Sequence, residues 1–110
     1  MIIDKLIDKI KVTGNPTVVG LDPQEAFIPQ FIKEEAFAKY GKTLKGMSKA
    51  MLHFNKMIID EIYDLVPAVK PQIAMYERYG ISGLKAYIKT IEYAKKRGLI
   101  VIGDIKRSDI

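Results

Sequence analysis

Three apolar runs in this sequence end in charge. Asp22 closes TVVGLD, Lys70 interrupts VPAVKPQI, and Asp104 and Lys106 follow LIVI within GDIKRSDI, with Arg107 and Asp109 directly beyond. The chain has no Cys and a single histidine, His53. Disulfides, zinc–thiolate sites, thiol nucleophiles and multi-histidine metal sites are thereby excluded. The candidate chemistry is that of carboxylates and ammonium groups.

The elements that must position these groups can be read from spacing. Ile3, Leu6, Ile7 and Ile10 predict a short helix over 2–12, closed by the turn GNP. Residues 17–22 read as a buried strand. Pro23 suits the first turn of a helix with Phe27, Ile28, Phe31 and Ile32 on its face, bent or restarted at Pro29 and ended at Gly41. Thr43 is placed to cap a long helix whose stripe is Met47, Met51, Phe54, Ile58, Ile62 and Leu65. Residues 66–73 are the second strand. Ser82 is the expected cap of a further helix with Leu84, Tyr87, Ile88, Ile91 and Ala94 inward, closed by Lys95, Lys96, Arg97 and Gly98. Residues 99–106 are the third strand. This alternation predicts a parallel α/β sheet, because parallel neighbours need crossover connections.

Strand parity sharpens the reading. Val18, Gly20 and Asp22 share one face, as do Ala68, Lys70 and Gln72, and Ile100, Ile102, Asp104 and Lys106. The opposite face, with Val19, Leu21, Val69, Ile73, Leu99, Val101 and Ile105, is apolar and suits packing under helices. Polarity on the first face is gathered at the carboxyl end of each strand, where open α/β sheets and β/α barrels place their active sites. A single charge such as Asp22 would ordinarily mean only solvation. Several charges in one cleft are a costly route to stability, which favours a functional site for the group. Arg107 faces away and reads as structural. His53 lies off the apolar stripe, and Met47, Met51 and Met57 read as core or near-core packing.

Composition supports a globular chain, 48% hydrophobic and 28% charged over 110 residues. No run approaches the roughly 20 apolar residues of a membrane helix, and no secretory leader pattern is present. A soluble, cytoplasmic protein without a membrane partner is expected. The net charge of +5 is spread over every predicted helix and mixed with Asp and Glu, the pattern of solvated faces rather than of a nucleic-acid surface.

VGLDP on the first strand, AVKPQIAMYERYG on the second, FNKMIIDEI before it and above all the Asp-x-Lys-x-x-Asp of DIKRSD resemble the orotidine 5′-phosphate decarboxylase family, in particular its longer bacterial branch. The resemblance covers the whole chain. It implies the N-terminal portion of a TIM (β/α)8 barrel, the first three strands with their flanking helices, and a lyase acting in UMP biosynthesis as a homodimer with composite sites.

By motif position the resemblance makes Lys70, Asp104, Lys106 and Asp109 the charged catalytic array. Asp22 and Lys70 would bind the substrate ribose, and Asp109 would reach the partner subunit's site. Loss of CO2 from C6 of the pyrimidine leaves density on a carbon with little resonance help, so the site must stabilise it electrostatically and then protonate it. Lys106 suits both tasks, while Asp104 would keep Lys106 charged and disfavour the substrate carboxylate. No metal, flavin or other cofactor is implied.

A complete barrel takes about 250 residues. Residues 1–110 are therefore expected to form one incomplete domain, inactive by itself, without the phosphate site that the last strands commonly supply. Two alternatives stay open: a sugar-phosphate lyase or decarboxylase of the same suprafamily, which typically carries an acid and a metal where this chain has Lys70, and a non-catalytic α/β oligomeric scaffold.

Overall fold

The computed structural model describes residues 7, 8, 10, 11, 14, 17–21 and 25–102. Residues 7, 8, 10 and 11 are helical, in keeping with the periodicity at the start of the chain. The remaining elements follow in order: β1 (Val18–Leu21), a 3-10 turn (Glu25–Phe27), α1 (Gln30–Tyr40), α2 (Leu44–Ile62), β2 (Ala68–Pro71), the short α3 (Ala74–Glu77), α4 (Gly80–Lys96) and β3 (Ile100–Val101). The expected start of a helix at Pro23 lies outside the described residues.

The strands form one parallel sheet in the order β1-β2-β3. On the central strand, Ala68 pairs with Val18 and Ile100, Val69 with Val19 and Val101, and Lys70 with Gly20. Val19, Leu21, Val69 and Val101 lie in the core beneath the helices, packed with Ile59, Val66, Ala94 and Leu99. Burying an aliphatic side chain of this kind contributes about 1.5–3 kcal/mol, and this row ties the sheet to α2 and α4. A second core joins the helices, with Ile28 from the bend before α1, Ile32 from α1, Met47 and Met51 from α2, and Tyr76, Ala86 and Tyr87.

Local chemistry explains the boundaries. Pro29, which lacks an N–H and cannot extend the preceding turn, stands at the N-cap of α1, and Gly41 ends that helix at φ 80°. Thr43 caps α2 as expected, its hydroxyl accepting from the Gly46 N–H at 3.1 Å.

Several expectations are corrected. Ser82 does not cap α4; Tyr79 stands at that position and Ser82 lies inside the helix. The inward face of α4 is Gly83, Ala86, Tyr87, Thr90 and Ala94, while Leu84 and Ile88 are exposed. Small residues let α4 approach its neighbours, and that close approach decided the helix phase over the larger side chains. A Cβ on Gly83 would meet the Tyr76 carbonyl oxygen at 1.9 Å. On α2 the fully buried line is Met51, Asn55 and Ile59, which turns Met57 outward, and Leu65 is exposed beyond the helix end. The second strand is shorter than 66–73, because Ile73 has already turned into helical geometry as the N-cap of α3.

Candidate active site

Parallel strands bring their carboxyl ends to one edge of the sheet, and the described part of that edge contains Leu21, Lys70 and Pro71. Lys70 is exposed on the face opposite the helices. Its in-register neighbour on β1 is Gly20. The sequence-predicted residues Asp22, Asp104, Lys106 and Asp109 lie outside the described residues, as does Arg107. Lys70 is the member of the array whose position is described, and it sits on the face and at the end that strand parity predicts.

What holds this edge in place was not read from the sequence. Tyr76, fully buried in α3, donates its hydroxyl proton to the Leu21 carbonyl at 3.1 Å, tying the last residue of β1 to the turn that follows β2. The Asn55 amide nitrogen on α2 donates to Tyr76 Oη at 2.9 Å and to Thr90 Oγ1 at 3.1 Å. Thr90 in turn donates to the Ala86 carbonyl at 2.8 Å. Both hydroxyl protons are thus committed to carbonyls, so both hydroxyls must accept, and the amide of Asn55 has to present its NH2 to them. Tyr76 also meets Tyr87 edge to face, ring centroids 5.1 Å apart. Polar groups bonded to one another inside a core specify a geometry as well as stabilise it, and of Asn55, Tyr76 and Thr90 only Asn55 keeps an unpartnered atom, its Oδ1. This network joins α2, α3, α4 and the end of β1 immediately beneath the edge that carries Lys70. The one local signal for it was an Asn four residues from both Met51 and Ile59.

His53 is exposed, as its position off the stripe suggested. Among the described residues no cluster of His, Cys, Asp or Glu could hold a metal ion, and no helix is long and apolar enough to cross a membrane.

Parallel strands joined through helices, with the helices on one face and a lysine at the carboxyl end of the central strand on the other, define a segment of the β/α-barrel class. No family model matches the chain. Over all 110 residues it is 49% identical to the orotidine 5′-phosphate decarboxylase of Petrotoga mobilis and 42% identical to that of Clostridium novyi, in each case spanning 35% of the relative. The chain thus has about a third of the length of these curated relatives. Two solved structures agree in fold. A Streptomyces avermitilis protein provisionally named orotidine 5′-phosphate decarboxylase has a TM-score of 0.71 at 25% identity, over 99% of this chain and 34% of that one. A Toxoplasma gondii protein provisionally named as the same decarboxylase has a TM-score of 0.75 at 25% identity, over 97% and 32%. The chain is a homologue, along its whole length, of part of orotidine 5′-phosphate decarboxylase.

Proposed function

We propose that this chain supplies the first three β/α units of a cytoplasmic barrel enzyme that decarboxylates orotidine 5′-monophosphate to UMP. The observation that carries the reading is Lys70, exposed at the carboxyl end of the central strand on the face turned away from the helices, in a chain 49% identical to a curated decarboxylase over its full length. In the assembled barrel Lys70, Asp104, Lys106 and Asp109 form the charged array. Asp22 and Lys70 hold the ribose, and Asp109 enters the site of the second subunit of a homodimer.

The chemistry requires alternating charge. Each ammonium beside a carboxylate stays ionised, so the array meets the substrate already polarised. Lys106 stabilises the density left at C6 when the C–C bond breaks and CO2 departs, then delivers its proton to that carbon. Asp104 sets the charge of Lys106 and repels the substrate carboxylate before it leaves. No cofactor takes part.

The test joins this chain in frame to the portion of the Petrotoga mobilis relative that it does not span, and follows loss of orotidine 5′-monophosphate absorbance. Turnover by the joined protein, abolished by Lys106→Ala and by Lys70→Ala with unchanged circular dichroism, is expected. A folded joined protein that binds UMP yet does not turn over would overturn the proposal.

A further inference from the structure

The lysines of α2 and α4 are not arranged like those of ordinary solvated faces. Between Leu44 and Ile59 α2 has no acid, and between Gly80 and Ile91 α4 has none; Asp60, Glu61 and Glu92 all come later. Lys45 and Lys49 stand four residues apart on α2, and Lys85 and Lys89 four apart on α4, where like charges repel. Lys45 also stands in the first turn of α2, where the helix dipole disfavours a cation. Three unfavourable electrostatic choices therefore coincide in one place.

The tertiary fold brings the two pairs together. All four lysines line one cleft of ≈ 260 Å³ between α2 and α4, with Ser48 and Ser82 also on its walls and no acid among its lining residues. Among the described residues none of the four forms an ion pair. Lys45 and Lys49 rest over the Tyr40 ring, 5.5 and 5.4 Å from its centroid, and Tyr40 itself lines the neighbouring cleft. Ser48 donates its proton to the Leu44 carbonyl at 2.8 Å, so the Ser82 hydroxyl is the better placed donor to a ligand. Glu35 shares a separate cleft with Lys49 and does not line this one.

We infer that this cleft is an anion site, distinct from the carboxyl edge of the sheet, for a small polyphosphate group: inorganic diphosphate or triphosphate, or the phosphate tail of a nucleotide. Four ammoniums match a tri- or tetra-anion, the Ser82 hydroxyl adds a donor, and the volume admits the phosphate chain while leaving a base outside. The proposal does not depend on the decarboxylase reading.

Isothermal titration of the chain with diphosphate, triphosphate and ATP tests it. Saturable 1:1 binding is expected, weakened about tenfold or more in Lys45→Gln/Lys85→Gln. Lys95→Gln/Lys96→Gln, which removes the same charge from exposed positions elsewhere on α4, should stay within about twofold. Urea midpoints confirm that both variants fold. Equal affinity of triphosphate and ATP would assign the contact to phosphate alone; a preference for ATP would assign it to a nucleotide tail. Absence of binding, equal weakening in both double variants, or binding only of a short RNA would overturn the site.

Discussion

The helical layer of this molecule and the outer face of its sheet differ in kind. Away from the lysine cleft, the interior of the layer formed by α2, α3 and α4 is closed: Asn55, Tyr76 and Thr90 are fully buried, their donors are matched, and Gly83 admits a backbone carbonyl where a side chain would not fit. On the other side of the sheet Val18, Gly20 and Lys70 are exposed. Stability and candidate chemistry are therefore carried by opposite faces of the same strands, linked by the bond from Tyr76 to the Leu21 carbonyl. Lys70 can be held in position without contributing much to the fold.

Substitutions should separate the two faces. The largest loss is expected for Gly83→Ala, whose Cβ would force α4 off the Tyr76 carbonyl; urea unfolding should show a cost of about 3 kcal/mol. A cost near zero would mean that α4 relaxes freely and that the closed layer is looser than described. Asn55→Ala removes both donors from buried hydroxyls and leaves a small void, for a cost of about 2 kcal/mol. It should also raise amide exchange around Leu21, an effect that simple cavity formation on α2 would not produce.

A smaller, pH-dependent effect should come from the rim of the same layer. The Tyr93 hydroxyl donates to Asp60, whose carboxylate also meets Arg97 Nε at 3.4 Å, and Arg97 lies over the Tyr63 ring. The hydrogen bond to Asp60 raises the Tyr93 pKa above 10.0, with burial and the Asp60 charge adding to it and Arg97 opposing. The folded chain therefore holds the phenolic proton more tightly than the unfolded chain. The resulting stability is complete below pH 10, declines as the unfolded phenol ionises, and is lost as pH rises through the raised folded value. The difference in Tm between wild type and Tyr93→Phe should shrink above pH 10, and a constant difference would remove Asp60 from the account. The smallest effect is expected on the open face, where Lys70→Ala should change stability by no more than about 0.5 kcal/mol. A larger change would show that the lysine supports the sheet.

Much of this contrast was legible in the sequence. The runs TVVGL, PAVKP and LIVI, with their turns and caps, set the element order, and side-chain alternation alone places Lys70 on the face opposite Val69. The caps Thr43 and Gly41 were readable because capping is a contact within a few residues. The phase of α4 was legible only in part: Tyr87 and Ala94 lie inward as expected, but Leu84 and Ile88 gave way to Gly83, Ala86 and Thr90.

By itself, then, the sequence determined what local physics controls: alternation along strands, stripes along helices, the ends of elements, and the motifs shared with the decarboxylase family. Tertiary structure decided whatever depends on partners distant along the chain. Asn55 meets Thr90, 35 residues later, and Tyr76 meets Leu21, 55 residues earlier. Lys45 and Lys49 share a cleft with Lys85 and Lys89 only because two helices pack side by side. A side chain's own neighbours in sequence set its conformation and its face, but the groups that satisfy or repel it across a core are chosen by how closely backbones can approach.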